Sequence, residues 1–188
     1  MDERGLAQRR RTRLEGHDYR STGWYFVTVC CLDRRGWFGC ITGERMVLGD
    51  VGRAVEDQWR WLEGQYPYVE LGPYVVMPNH LHGLIAICEE GGDSGDRNGD
   101  ADGNGCAADD GGTTGNGPVA TGPYRGRKSL SGLVGAFKTT SAKAIHGLGY
   151  AGFRWQRSFH DRIVRNDREL RHIAVYIRDN PRRWTTDS

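Results

Sequence analysis

The sequence lacks the long apolar run that a membrane-spanning helix requires. Such a helix needs about 20 consecutive apolar residues, and no stretch of this 188-residue chain approaches that length. The first residues, 1–5, also lack the charged-then-apolar pattern of a secretory signal peptide. We therefore expect a cytoplasmic protein with no membrane partner.

Cysteine is too scarce and too irregularly spaced for a disulfide framework or a structural zinc site. The chain has 5 cysteines, an odd number, and none of them forms a Cys-x-x-Cys pair. Several lie in apolar runs, where a reduced thiol behaves as a small hydrophobic side chain. This pattern is typical of a reducing compartment.

Charge is nearly balanced over the whole chain but unevenly distributed along it. The net charge is +2, yet the segment 89–118 holds eight acidic residues and one basic residue, a local charge of −7. Removing −7 from +2 leaves +9 on the rest of the chain. A basic remainder is typical of proteins that hold a phosphate backbone, although many basic proteins bind no nucleic acid.

Hydrophobic periodicity predicts alternating strands and helices. The predicted elements in chain order are a strand at 23–30, a short segment at 37–41, a helix from 51 to 64, strands at 69–77 and 80–88, a helix from 129 to 148, a strand within 153–164 and a final helix from 166 to 180. Asp50 is the predicted N-cap of the first helix, and Asn166 with Glu169 predicts a capping box on the last. The order predicts an α+β fold, a ferredoxin-like βαββαβ unit with an antiparallel sheet, followed by an extra C-terminal helix.

Two segments do not fit the core pattern. Residues 1–20 are rich in arginine and predict a basic N-terminal arm. Residues 89–126 are rich in Gly, Asp and Asn and have almost nothing to bury, so they predict a disordered insertion. We expect residues 21–188 to form a single domain that this insertion interrupts. A role of the acidic segment as a mimic of nucleic acid is a minor alternative.

Two histidines lie at the start of the second strand of the predicted hairpin. Alternate side chains of a strand share a face, so His80 and His82 point together while Leu81 points to the core. Two such imidazoles could bind a metal ion, and Asn79 could fix the tautomer of one ring. His-x-His alone is a weak signal that is more often structural, and two ligands are too few to choose a metal.

The final helix carries His172, Tyr176 and Asn180 at steps of four residues, which places them along one edge. Tyr176 could serve as a nucleophile and Asn180 could present an amide oxygen to a metal. A tyrosine beside an apolar stripe is also common as a boundary residue that buries its ring and leaves its hydroxyl in water. Taken alone, the pattern slightly favours the boundary interpretation of Tyr176.

Three motifs in order resemble those of the single-tyrosine HUH transposases, and they are most similar to the REP-associated tyrosine transposase branch. The motifs are Pro78-Asn-His-Leu-His-Gly83, Trp155-Gln-Arg-Ser-Phe-His-Asp-Arg-Ile-Val-Arg165 and Tyr176-Ile-Arg-Asp-Asn-Pro181. The first strand is also similar, and the resemblance runs from about residue 19 to residue 184. The Gly-rich insertion interrupts it and has no place in the pattern.

The resemblance implies a metal-dependent single-stranded DNA endonuclease and strand transferase that acts beside a DNA hairpin. It implies that His80 and His82 bind a divalent cation, Mg²⁺ or Mn²⁺, and that Asn180 completes the metal site. It implies that Tyr176 is the nucleophile and forms a 5′-phosphotyrosine intermediate, leaving a free 3′-hydroxyl. The family fold is the same βαββαβ unit.

Further residues are candidates for supporting roles. His172 and Asn79 could assist the reaction. Arginines interleaved with aromatic residues, together with the N-terminal arm, are typical of nucleic-acid contacts. The candidate DNA-binding residues are Arg9, Arg10, Arg11, Arg154, Arg157, Arg162 and Arg165.

Three questions stay open at the level of the sequence. The chain could act alone or as a homodimer whose partner supplies the tyrosine. It could be a nucleic-acid-binding module without catalysis. It could also be a histidine- or metal-dependent phosphohydrolase, although that site would want a third histidine along the strand, where Leu84 stands.

Overall fold

The computed structural model describes residues 17–89 and 127–184. By backbone proximity the chain divides into a larger unit, Met1–Glu90 with Lys128–Ser188, and a smaller unit, Gly91–Arg127. All elements given below belong to the larger unit. Apart from Arg127, the smaller unit lies outside the described residues. So do most of the predicted insertion at 89–126, most of the predicted arm at 1–20, and with it Arg9, Arg10 and Arg11.

The described residues form one four-stranded antiparallel sheet with helices on both faces and a separate two-stranded hairpin. The elements are β1 (Gly23–Cys30), β2 (Gly39–Thr42), β3 (Arg45–Leu48), α1 (Asp50–Gln65), β4 (Val69–Val76), β5 (His80–Ile87), α2 (Leu130–Gly147), β6 (His160–Ile163), α3 (Asp167–Asp179) and a 3₁₀ turn (Asn180–Arg183). The sheet order is β4-β5-β1-β6, and every neighbouring pair is antiparallel. The predicted α+β fold, a βαββαβ unit followed by a helix that carries Tyr176, is confirmed.

One face of the sheet packs against α1 and α2 to form the main core. Alternate residues of β1, namely Tyr25, Val27 and Val29, are buried there. The indole of Trp59 from α1 lies so close to Gly83 of β5 that a Cβ at this position would come within 2.5 Å of it. Only glycine lets the helix approach the sheet this closely.

The opposite face of the sheet packs against α3. A second, smaller core joins Leu84 of β5 to Ile173 and Ile177 of α3, with Trp24 and Phe26 of β1 beside them. Because the two faces of a strand alternate, this face also carries the even-numbered residues at the start of β5. Those residues include His80 and His82.

The N-terminus of α3 is fixed as the sequence predicts. The side chain of Asn166 accepts a hydrogen bond from the backbone N–H of Glu169 at 2.9 Å, and the Glu169 carboxylate accepts one from the N–H of Arg165 at 2.9 Å. Glu169 also forms an ion pair with Arg162 of β6. These contacts hold the start of α3 against the edge strand.

Two local details differ from the prediction. The short segment predicted at 37–41 overlaps β2, but its hairpin partner β3 was not predicted, because both strands leave alternate residues exposed and so give no strong hydrophobic signal. The N-cap of α1 is Gly49, whereas Asp50 is the first helical residue and pairs with Arg53. The Gly49 N–H donates to the carbonyl of Phe38 at 2.9 Å, which fixes the cap through the backbone.

No helix within the described ranges combines the length and the hydropathy needed to cross a bilayer.

Candidate active site

The imidazoles of His80 and His82 converge on the α3 face of the sheet. Their Nε2 atoms lie 3.0 Å apart, and their ring centroids are 4.5 Å apart. His82 is only 8% exposed. The two rings therefore form one compact pair at the start of β5, next to the turn that joins β4 to β5.

Hydrogen bonds to the other nitrogen of each ring set the orientation of the pair. Oδ1 of Asn79 lies 2.7 Å from Nδ1 of His80, and Oγ1 of Thr28 lies 2.8 Å from Nδ1 of His82. Nδ2 of Asn79 donates to the carbonyl of Arg34 at 2.8 Å, so its amide oxygen must face His80. As a result Nδ1 of His80 carries the proton, and its Nε2 presents a lone pair.

Both imidazoles are held neutral. Burial lowers the pKa of His80 to about 4, and the positive charge of Arg34 adds to this shift. Burial lowers the pKa of His82 to about 3, with the neighbouring His80 as the second cause. A neutral imidazole is the form that binds a metal ion.

The donor set of the pair fits a divalent cation. Two nitrogen ligands at right angles, each about 2.1 Å from a metal ion, lie roughly 3.0 Å from one another, and the two Nε2 atoms are 3.0 Å apart. In the described ranges, no group of three or more His, Cys, Asp or Glu side chains could hold a metal. A third protein ligand would therefore have to be of another type, such as an amide.

Tyr176 lies beside the histidine pair although it is far away in the sequence. Its ring centroid is 5.4 Å from that of His82 and 6.1 Å from that of Phe26. The side chain is 40% exposed, and the buried neighbours Ile173 and Ile177 anchor its helix to the sheet. The ring is therefore held by packing while the side chain still reaches solvent.

Asn180 begins the 3₁₀ turn directly after α3 and is 8% exposed. Its side chain makes no hydrogen bond to any other residue in the described ranges. At the end of the same turn, the ring of Trp184 lies 5.7 Å from that of His80, so this turn runs against the histidine pair. An amide that makes no hydrogen bond to the described residues is available to an external ligand.

Apart from Asn79, the other predicted site residues within the described ranges make no hydrogen bond or ring contact with the pair. His172 is exposed on α3, one turn before Tyr176. Arg154 is committed to the carbonyls of Ala151 and Phe153, and Arg157 is exposed in the segment before β6.

Two arginines lie near the start of α3. Arg162 stands opposite Phe26 in the sheet, on the site face, and pairs with Glu169. Arg165 is exposed just before the N-cap of the helix.

Sequence analysis missed three residues that contact the histidines, Thr28, Phe26 and Trp184. Thr28 faces His82 because β1 pairs with β5 in that register. Register is visible in a sequence only once the strand order is known, so no local signal could identify Thr28. For Trp184, the sequence indicates only an aromatic side chain near the C-terminus, which does not predict a contact with His80.

Comparisons with known proteins find a relative by sequence. No family model matches the chain. An uncharacterized protein of Haemophilus influenzae is 31% identical over 188 residues, which cover 97% of this chain and 93% of the relative.

Comparisons of structure find two solved proteins that align with most of this chain. A REP-associated tyrosine transposase solved with a bound REP hairpin aligns with a TM-score of 0.53 and 19% identity over 91% of this chain and 74% of that one, a likeness that shows a shared fold. A proposed transposase from Deinococcus radiodurans aligns with a TM-score of only 0.46 and 15% identity, over 89% of this chain and 97% of that one.

Proposed function

The chain belongs to the same family as the Haemophilus influenzae protein, and from the site that it carries we propose that it is a tyrosine transposase. In this proposal it is a metal-dependent single-stranded DNA endonuclease and strand transferase that acts through a 5′-phosphotyrosine. The observation that carries the proposal is the position of Tyr176. The centroid of its ring lies 5.4 Å from that of His82, which is one of two neutral histidines whose Nε2 atoms converge.

In this proposal His80, His82 and Asn180 hold a divalent cation, Mg²⁺ or Mn²⁺. When bound, such a cation neutralises charge on the phosphate oxygens and positions the phosphorus. Asn79 and Thr28 keep the imidazoles turned toward it by binding their Nδ1 atoms. Partners of this kind fix ring orientation and raise the basicity of the ligand.

Tyr176 is the nucleophile in the proposed reaction. Its phenol oxygen attacks phosphorus and loses its proton, the bond from phosphorus to the 3′-oxygen breaks, and that oxygen leaves as a 3′-hydroxyl. The 5′ end of the DNA remains linked to the tyrosine. A 3′-hydroxyl can later attack the phosphotyrosine in the reverse direction, so strand transfer needs no nucleotide cofactor.

We propose single-stranded DNA next to a hairpin as the substrate. The structural relative is bound to a REP hairpin, which supports this class of partner. On this chain, the exposed Arg162 and the ring of Trp184 flank the site and suit a phosphate and a base. The histidine pair and Tyr176 belong to the same chain, so a homodimer is not required to bring them together.

The test is a search for a covalent adduct. Purified protein is incubated with Mn²⁺ and single-stranded hairpin DNA from the sequence that flanks its own gene, labelled at either end, and then run on a denaturing gel. The proposal predicts that the 3′ label moves with the protein while the 5′ label appears on a shorter free strand. Both products should disappear in EDTA and in Tyr176→Phe.

Tyr150→Phe is the matched control. Tyr150 is 41% exposed, almost the same as Tyr176, but it lies beside Trp37 rather than the histidines. This variant should form the adduct at the wild-type rate. Hairpin binding without any adduct, in the presence of either metal, would favour the alternative of a binding module without catalysis.

A further inference from the structure

A third histidine shares the sheet face of the site. In β6, His160 stands directly opposite Thr28 of β1, and Thr28 stands directly opposite His82 of β5. Residues that face each other across antiparallel strands project to the same side of the sheet. His82, Thr28 and His160 therefore form one row across three adjacent strands.

His160 is the member of this row that has no partner. Thr28 and His82 are hydrogen-bonded to each other. The ring of His160 is exposed and makes no hydrogen bond, ion pair or ring contact with any residue in the described ranges. Its neighbour Arg162 faces the same side but is paired with Glu169.

The backbone that carries His160 is held in place. Nζ of Lys138 from α2 donates to the carbonyls of Gln156 and Ser158, both at 2.9 Å. These bonds fix the segment just before β6. The exposed ring of His160 is therefore attached to a backbone segment that is fixed in place, as is required of a side chain that contacts a substrate.

Tyr176 lies over the seam between β5 and β1. Its ring contacts that of His82 in β5 and that of Phe26 in β1. In an in-line displacement, the attacking and leaving oxygens lie on opposite sides of phosphorus. His160 stands in β6, the strand beyond β1, so a phosphate bound between the Tyr176 ring and β6 would direct its leaving oxygen toward His160.

We propose that His160 is the proton donor to the 3′-oxygen that leaves during cleavage, an inference that rests on the function proposed above. Strands β5 and β6 are two strand spacings apart, about 10 Å, which leaves room for a phosphodiester between His82 and His160. In the rejoining reaction the same imidazole, now neutral, accepts the proton of the attacking 3′-hydroxyl.

The proton balance of the cleavage step is complete. The phenol of Tyr176 releases its proton to water as the bond between oxygen and phosphorus forms. The imidazolium of His160 gives its proton to the 3′-oxygen as the bond from phosphorus to that oxygen breaks. His160 is left as the neutral imidazole that serves in rejoining, and the products are the phosphotyrosine diester and a 3′-hydroxyl.

The experiment replaces the leaving oxygen by sulfur. A hairpin substrate with a bridging 3′-sulfur at the scissile phosphate has a thiolate leaving group that needs no proton. Single-turnover cleavage of the oxygen and sulfur substrates is compared in Mn²⁺ for wild type and His160→Gln. With the oxygen substrate, His160→Gln should be slower by about 10²–10⁴-fold, the usual contribution of a general acid. With the sulfur substrate it should approach the wild-type rate.

Other outcomes overturn the inference. If His160→Gln is equally slow on both substrates, the residue acts through DNA binding or folding, and if it is not slow on the oxygen substrate it has no role in cleavage. His160→Thr also lacks the imidazole, and threonine favours the strand conformation. It should therefore behave as His160→Gln does, and this agreement would assign the lost rate to the imidazole rather than to a loss of folding. Tyr176→Phe should fail on both substrates. If the wild type itself forms no adduct, the proposed function is wrong, and the inference about His160 is wrong with it.

Discussion

The ring of Tyr176 meets the ring of His82 edge-on, with centroids 5.4 Å apart and an interplanar angle of 61°. The contact joins the last helix of the chain to a central strand of the sheet. It exists because Ile173 and Ile177 seal α3 onto Leu84, two residues beyond His82 in β5. Packing between apolar residues thus brings the proposed nucleophile to the proposed metal ligands.

Thr28→Val should weaken metal binding without unfolding the protein. The change removes the hydroxyl that binds Nδ1 of His82, while valine favours a strand at least as well as threonine. Loss of a hydrogen bond of this type typically costs about 10–100-fold in metal affinity. Titration with Mn²⁺, followed by the electron paramagnetic resonance signal of the free ion, measures the effect. Thr28→Ser keeps the hydroxyl and should bind nearly as wild type, whereas equal affinities of the valine variant and the wild type would contradict the role of Thr28.

Acid should destabilise the metal-free protein. Burial lowers the pKa to about 4 for His80 and to about 3 for His82, from the ordinary histidine pKa of about 6.5. Between these values the unfolded chain binds more protons than the folded protein, so the free energy of unfolding falls as the pH drops from about 7 to 4. The loss by pH 5 is on the order of 2 kcal/mol for each of the two histidines.

Urea unfolding in EDTA at pH 7 and at pH 5 measures this loss. The double variant His80→Gln with His82→Gln lacks both imidazoles and should lose correspondingly less stability on acidification. The same dependence on pH in the variant and the wild type would show that these rings are not held neutral.

Gly83→Ala should destabilise the fold. A Cβ at this position would meet the Trp59 ring at 2.5 Å, and Trp59 is fully buried. Overpacking of this kind costs about 1–3 kcal/mol. Gly64→Ala in α1 is the control, because a Cβ there meets nothing within 4 Å and alanine favours a helix by about 0.5–1 kcal/mol. Urea unfolding should move in opposite directions for the two variants, and a neutral Gly83→Ala would contradict the packing described.

The elements with strong periodicity could be predicted from the sequence. Helix α1 and the strands around His80 were located to within a residue or two because their apolar stripes are long and regular. The β2–β3 hairpin could not be predicted, since its side chains alternate between exposed and half-buried positions and carry little hydrophobic signal. Local pattern identifies an element only where one face is buried.

The same distinction between local pattern and long-range pairing applies to the residues of the site. Alternation within one strand was enough to predict that His80 and His82 share a face. Neither Thr28 nor His160 could be related to the histidine pair, because their positions depend on which strands pair and in which register. Such contacts between distant parts of the chain arise only in the assembled sheet.

The most direct test of the central claim is to identify the residue that is linked to DNA. Trypsin cuts after Arg171 and Arg178, and the peptide between them contains Tyr176 as its single tyrosine. After reaction with hairpin DNA in Mn²⁺, nuclease trimming and digestion, mass spectrometry should find this peptide carrying a nucleotide through its 5′-phosphate. Attachment to any other residue, or a cleaved strand without an attached peptide, would contradict the assignment of Tyr176 as the nucleophile.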